Sequence, residues 1–366
     1  MRVVHVGKYY PPEYEGGLEA VVHGINRELL RRGFAASVVV ASARGPASVD
    51  NHDGVRVTRV KRVALLLSQP VCPGFAAAVH SEPGDLVHLH HPNPLADVAV
   101  RGEHRPLVVT HHSDVVRQRL LWPLYGPLVR GAFERARAIT VGSQQLLRTS
   151  RELRGFEPKI RVIPFGIEAE RFALTEAVRA RAAELRSHWG DRPVVLAVGR
   201  LVRYKGFDVL LEAARGLEAT VVVVGTGPEG ARLRARATPN VVFAGRVSDQ
   251  DLIAHYHACD VLTLPSVTIA EAFGMVLLEA MACGKPLVTT ALPTGVSAVN
   301  RHGVTGLVVP PRDAGALRTA LRELLASESR RREMGEAARA VQAAEYSAQL
   351  MGERFVELYN EIVARG

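Results

Sequence analysis

LPSVTIAEAFGMVLLEAMACGKPLVTT, Leu264 to Thr290, reads in one pass as a strand end, a ligand loop and a helix. Val261 to Leu264 is a short apolar strand stopped by Pro265. A loop of small and polar residues follows, carrying Glu271, Phe273 and Gly274, and MVLLEAMA then has the composition of a buried helix, closed by Gly284 with Pro286 just beyond. A helix that begins past a strand end turns its unpaired N–H groups and positive dipole end toward the crevice above the sheet, a good place for a phosphate. Glu271 and Glu279 lie at most ~12 Å apart if the residues between them are helical. Two carboxylates at that spacing suit different hydroxyls of one elongated ligand, although a capping glutamate and a solvated one would read the same way in isolation.

The E-x7-E pattern of Glu271 and Glu279, with AFGMVLLEAMACGKP between and after, resembles the signature of retaining glycosyltransferases of family 4. The resemblance implies an α/β chain of two Rossmann-like, doubly wound domains facing across a cleft, the GT-B architecture. It also implies that Glu271 binds hydroxyls of a donor sugar and Glu279 the ribose of its nucleotide, with Phe273, Gly274 and Met275 in the same donor loop.

The 366 residues suffice for two domains, each with its own core, and a hydrophobic content of 47% with mean hydropathy +0.06 fits a globular protein in water. No run approaches the ~18 apolar residues of a membrane span, and MRVVHVGKYYPP breaks too early for a signal peptide. Cys72, Cys259 and Cys283 have no paired spacing and read as buried thiols of a reducing cytoplasm. The net charge of +9 is uneven: residues 1–168 hold 22 Lys+Arg against 15 Asp+Glu, the rest 24 against 22. A basic first half suits an anionic membrane or a phosphorylated acceptor. Nucleic acid is disfavoured by 5% aromatics and the lack of a recognition helix or stacking sheet. RVTRVKRVALLL, Arg56 to Leu67, reads either as a basic and apolar membrane-surface segment or as a strand followed by a helix with a solvated basic face. The expected location is cytoplasmic, with peripheral contact on the inner face of the cytoplasmic membrane as the further expectation.

In the first half, Val3 to Val6 is a strand leading through Gly16-Gly17 into a helix from Leu18 to Arg32. A double glycine there lets backbone approach a diphosphate, although a plain flexible turn reads the same; the resemblance places the loop against the donor. ASVVVA, VRVTRV, DLVHLHH and LVVTHH are further strands, with PNPLADVAVRG as a helical crossover, and the alternation implies a parallel sheet. His88, His90, His91, His111 and His112 lack acidic or cysteine partners at a familiar metal spacing, so they are read as strand-end hydrogen-bonding groups and no metal is expected. THHSDVVRQ, from Thr110 to Gln118, resembles the family word whose histidine contacts the sugar. His112 takes that role by alignment, His111 if the register shifts by one, and Asp114, Arg117 and Gln118 fall on the acceptor side. Trp122 and Tyr125 look exposed and suit either a lipid carrier or core packing.

The boundary is expected at the Pro164 to Ile167 step, giving an acceptor-binding domain over 1–165, a nucleotide-sugar domain over 166–344, and a helix over 345–366 packing back on the first domain. AVGRLVRYKGFDVLLEAA places Gly199 at a strand end and Arg200 and Lys205 in the loop before a helix. Two cations there would neutralise a departing diphosphate, and Gly-Arg-Leu followed by Lys-Gly resembles the family word. VVVVGTGPEG contains G-x-G-x-x-G, but the next strand ends in Gly245-Arg246 without an acidic residue for a ribose diol, so Gly225 and Gly227 are read as a loop near a nucleotide base and not as an NAD site. Ser248 reads as the N-cap of DQDLIAHYHAC, and Gly303 and Gly306 as turns.

The resemblance extends over nearly the whole chain and is strongest to bacterial members that build polysaccharide or O-antigen, often from GDP-mannose. It implies a nucleotide-sugar donor, a glycan or lipid-linked acceptor, no cofactor, and no nucleic acid. A UDP-sugar transferase, a UDP-sugar epimerase, a non-catalytic nucleotide-sugar-binding protein and an NAD-dependent oxidoreductase are the competing readings.

Overall fold

Runs of β-branched residues such as SVVVA and TVVVV are buried on both faces, which is how strands of a parallel sheet read when helices cover both sides. The computed structural model describes residues 1–14, 16–66, 69–115 and 122–364. Its chain divides into two compact units, Met1–Gly166 with Ala348–Gly366, and Ile167–Ser347.

The first unit contains β1 (Arg2–Val6), β2 (Ala35–Ala41), β3 (Ser48–His52), β4 (Val55–Val60), β5 (Ala64–Leu66), β6 (Gln69–Val71), β7 (Leu86–His91), β8 (Leu107–His111), β9 (Ala138–Val141) and β10 (Ile160–Val162). Its main sheet runs β10-β9-β8-β7-β1-β2-β4-β3, parallel except for β3 against β4, while β5 and β6 form a separate antiparallel pair. The second unit contains β11 (Val194–Val198), β12 (Thr220–Val224), β13 (Val241–Gly245), β14 (Val261–Leu264), β15 (Leu287–Thr290) and β16 (Gly306–Val309), all parallel in the order β13-β12-β11-β14-β15-β16. Both sheets are doubly wound. The strand order reverses between β1 and β7 in one and between β11 and β14 in the other, and ligands of such sheets bind beyond the strand ends at these points.

Two local expectations give way. Ala64–Leu66 extends as β5 rather than opening a helix, because Pro70 has no N–H for a helix and its ring clashes with the carbonyl four residues back. Gly306 begins β16 rather than a turn, and a Cβ there would sit 2.0 Å from the Leu287 carbonyl oxygen, so the strands pair closely only with glycine. Of the two readings of Trp122 and Tyr125, core packing is the one seen: both pack against the first core and the Tyr125 hydroxyl donates to Asp97, while Leu124 beside them is exposed at 79%.

The C-terminal helix Ala348–Ala364 closes the first unit against helix Gly17–Arg31, burying Met351, Phe355 and Tyr359. Gly352 permits the approach, since a Cβ there would lie 2.5 Å from the Glu28 Cβ. Arg32 then ties the two helices through the Gln349 carbonyl at 3.0 Å and Glu353 at 3.2 Å. Phe355 is fully buried, so Phe355→Ala is expected to destabilise the unit by about 3–5 kcal/mol, seen as a lower denaturant midpoint; a loss under about 1 kcal/mol would contradict this docking.

Candidate active site

In the second unit the site is built by two loops pressed together across the switch point. Beyond β11, Gly199 (φ +149°) leads through Arg200 into a single 3-10 turn, Arg203–Lys205, closed by Gly206 at φ +69°. A Cβ on Gly206 would stand 2.0 Å from the carbonyl oxygen of Pro265, in the loop after β14, and the Val267 N–H donates to the Tyr204 carbonyl at 2.8 Å. The contact sets Lys205 Nζ 2.6 Å from Glu271 Oε2, with both side chains nearly buried. Ser266 Oγ donates to the same carboxylate oxygen at 3.0 Å, while the Ser266 carbonyl accepts from Thr290 Oγ1 at 2.5 Å. Burial is the largest influence on the Lys205 ammonium and would depress it; the charge and hydrogen bond of Glu271, together with Tyr204 and Glu279, outweigh it and hold the pKa above its ordinary value, so the lysine stays charged.

Glu279 lies in helix Met275–Ala282, whose N-cap is Gly274 at φ +80°, tight against Leu264 and Leu277. Its carboxylate accepts from the Tyr256 hydroxyl at 2.5 Å, and burial pushes its pKa up. Phe273 is buried, with its ring edge where a Cβ on Gly295 would come within 2.6 Å, and Met275 is half-buried. Arg200 is exposed and has no acidic partner among the described residues. Gly225 and Gly227 serve the protein itself: Cβ atoms there would lie 2.1 Å from the Gly199 oxygen and 2.4 Å from the Leu201 oxygen. The G-x-G is thus explained by the packing of the loop after β12 on the loop after β11. Sequence reasoning passed over Ser266 and Tyr256, the partners that hold the two glutamates. A held lysine charge beside unpaired helix-start amides and two carboxylates suits a ligand with an anionic end and a hydroxyl-rich end.

In the first unit, pairing of β1, β7 and β8 sorts the histidines by face. His88 stands opposite His5, and His90 opposite Thr110. His112 Nε2 lies 3.1 Å from His90 Nδ1, and His90 Nε2 lies 2.9 Å from His5 Nδ1. Burial lowers His112 to about 3, so it is neutral. His111 belongs to the other face, stacked on His91 at 5.3 Å and bonded to Asp114 at 3.0 Å. His91 bridges Asp97 and Glu152; burial opposes its charge, but the two carboxylates raise it to about 9, making it the cation of that cluster. Among the described residues three histidine groups approach closely enough to share an ion, His5–His88–His90, His23–His52–Asp53 and His91–His111–Glu152; in the first and third the ring nitrogens are hydrogen-bonded to protein partners except His5 Nε2 and His111 Nδ1. Asp114 is likewise occupied, accepting from His111, Ser150 and the Arg151 N–H. Arg117 and Gln118 lie outside the described residues.

Gly16 caps helix Gly17–Arg31 in extended conformation, and a Cβ there would sit 2.6 Å from Glu19 Oε2. Glu19, also passed over in the sequence, is buried in the first turn, and desolvation raises it to about 7. An acidic residue just after the double glycine was the available signal.

Two families match this chain: Glycosyltransferase Family 4 over residues 15–171 and Glycosyl transferases group 1 over residues 184–341. It is 33% identical to the O-antigen chain mannosyltransferase C of Escherichia coli, with 99% of each chain covered. It is 29% identical to a GDP-mannose-dependent alpha-(1-6)-phosphatidylinositol monomannoside mannosyltransferase of Mycolicibacterium smegmatis, over 95% of this chain and 96% of the relative. Among solved structures, sucrose-phosphate synthase from Thermosynechococcus elongatus shares the fold at TM-score 0.82 and 24% identity, with both chains fully covered.

Because burial raises Glu279, its ionised form weakens the free protein at neutral pH, a penalty that disappears once pH falls below the unfolded value near ~4.3. Glu279→Gln is therefore expected to raise the melting temperature near pH 7–8 and to make no difference near pH 4; a lower melting temperature at neutral pH would show that the charge is stabilised where it sits.

Proposed function

Since the chain belongs to the GT-B glycosyltransferases of family 4, we propose that it moves mannose or a closely related hexose from a nucleoside-diphosphate donor to a hydroxyl of a glycan or lipid-linked glycan, with retention of configuration. The observation that carries the reading is the buried Lys205–Glu271 pair at the β11/β14 switch point. A GDP-linked donor is favoured because the Mycolicibacterium relative is named for GDP-mannose.

In this scheme the bond between the sugar's anomeric carbon and the β-phosphate oxygen breaks, its electron pair leaving with the diphosphate. The acceptor oxygen bonds to the same face of that carbon, and its proton passes to the departing phosphate oxygen. Lys205, Arg200 and the helix-start amides at Met275 and Val276 stabilise the growing negative charge, so the scheme assigns no step to a metal. Glu271 orients sugar hydroxyls, Glu279 holds the ribose, and His112 hydrogen-bonds a sugar oxygen.

A peripheral membrane contact is proposed for the β5–β6 pair. It exposes Leu65 at 56% and Leu66 at 67%, beside a cavity of about 620 Å³ lined by Val49, Val60, Lys61 and Val63. Arg59, by contrast, is buried against Asp50 and the Pro11 carbonyl, so it is not among the surface cations of this segment. No helix among the described residues is long and apolar enough to cross a membrane.

Thermal stabilisation by GDP, over UDP, ADP, CMP and NAD, is the expected first result, and no shift with any of them would overturn the reading. Lys205→Ala and Glu271→Ala are each expected to lower kcat ~10²-fold or more, and NMR of the product should show the donor's anomeric configuration. Consumption of the sugar nucleotide without an acceptor would favour an epimerase. For the membrane contact, Leu65→Ser with Leu66→Ser should abolish co-sedimentation with anionic vesicles at low salt; binding equal to wild type would remove the hairpin from the interface.

A further inference from the structure

We propose that His5 and His90 are positioning residues that dictate which ring nitrogen of His112 carries its proton, so that His112 meets the substrate as an Nδ1–H donor. The inference rests on the reading that His112 touches the sugar, and it adds the mechanism by which the fold sets the sense of that contact.

The three rings form an unbranched series from the interior to the strand end. His5 Nδ1 faces His90 Nε2 at 2.9 Å, and His90 Nδ1 faces His112 Nε2 at 3.1 Å. His112 Nδ1 has no partner among the described residues. All three rings are neutral: burial brings His5 to about 3, His112 is likewise near 3, and His90 is held well below its usual value by burial and by the neighbouring histidines. A neutral imidazole has one N–H and one bare nitrogen. Each of the two bonds needs one proton, so the series has only two arrangements, and every proton in it points the same way.

The buried end decides between them. His5 Nε2 is buried without a partner among the described residues. The adjacent ring of His88, 4.9 Å away between centroids, offers it nothing: His88 Nδ1 is bonded to the Tyr359 hydroxyl at 2.7 Å and His88 Nε2 to Thr110 Oγ1 at 2.6 Å. If the protons point inward, His5 Nε2–H is a buried donor with no acceptor, which native structures rarely tolerate. If they point outward, the same nitrogen is only an unused lone pair, the lesser penalty. The outward arrangement gives Nδ1–H on His5, on His90 and on His112. The ligand atom facing His112 is then an acceptor, as a sugar hydroxyl or ring oxygen is, and not a lone N–H or ammonium donor.

Histidine-¹⁵N-labelled protein, with signals assigned by His5→Gln, His90→Gln and His112→Gln, reads the tautomers directly. The expected spectrum shows His5, His90 and His112 all as neutral Nδ1–H forms across roughly pH 6–8, where an ordinary histidine titrates. An Nε2–H form or an imidazolium at His90 or His112 would overturn the proposal. His5→Glu places an acceptor against His90 Nε2, and it should reverse the series, converting His112 to Nε2–H and lowering kcat about tenfold, one hydrogen bond's worth. His5→Leu should leave His112 as Nδ1–H. Reversal in both variants, or in neither, would contradict the mechanism, and if His5→Glu does not fold the wild-type spectrum still decides. His112→Ala separates the two readings. Full transfer activity in that variant alongside the expected spectrum would remove the substrate contact, whereas lost activity alongside Nε2–H forms would remove only the relay.

Discussion

The close approach of backbone at Gly206 and Pro265 is the constraint on which the second unit's chemistry depends. No side chain fits between that glycine and the Pro265 carbonyl oxygen, and the left-handed backbone at φ +69° is costly for any residue with a Cβ. With the gap closed, the turn Arg203–Lys205 has one place to lie, and Lys205 reaches Glu271. The neighbouring loop is fixed in the same way, with Gly225 against Gly199 and Gly227 against Leu201. Four glycines thus bring three strand-end loops into contact, and what they create is a lysine whose charge survives burial because Glu271 stands beside it, with Tyr204 and Glu279 adding to its field. Such a pair contributes little net stability, since desolvation consumes most of the Coulombic gain, but breaking it is expensive. That asymmetry suits a site that must stay charged until a ligand competes for one partner.

The first unit solves a different problem with the opposite electrostatics. Around β1, β7 and β8 the face shared by His5, His88, His90 and His112 is kept neutral by burial, while the opposite face gathers Asp97, Glu152 and Asp114 around the imidazolium of His91. A parallel strand buries both of its faces, so polar groups placed there must satisfy one another. The strand period of two then separates them cleanly: adjacent histidines 90 and 91, and 111 and 112, enter different networks with different charge.

Legibility followed the range of the interactions. Features set by neighbours in sequence were read directly: the helix after Gly274, the N-cap of Ser248 onto the Asp251 N–H, and the strand–helix alternation behind two Rossmann-like units. Features set by strand order were not. That His5 completes a series with His90 and His112 depends on β1 lying beside β7 and β7 beside β8, which no local spacing encodes. The same holds for Tyr256, which reaches Glu279 from 23 residues away, and for Glu19, whose burial depends on where its helix docks. The G-x-G after β12 shows the converse. The motif was visible, but the reason for its glycines is the backbone of the preceding loop, so a fingerprint for a ligand and a fingerprint for tight loop packing are the same letters.

The carboxylates left without adequate cations mark where the fold gives up stability. Glu279 is buried against a tyrosine hydroxyl, and Glu19 is buried at a helix start with its carboxyl raised to about 7; among the described residues neither is paired with a lysine or arginine as Glu271 is. Hydrophobic residues of similar size would hold these helices more firmly. A carboxylate that its own protein leaves under-satisfied has hydrogen-bonding capacity in reserve, and a polyhydroxylated ligand supplies the donors that use it. Arg200 is the matching case of opposite sign, an exposed cation with no acidic partner among the described residues. Within the second unit, a ligand with a diphosphate at one end and hydroxyls at the other, as proposed for the donor, would satisfy Arg200 and Glu279 alongside the Lys205–Glu271 pair.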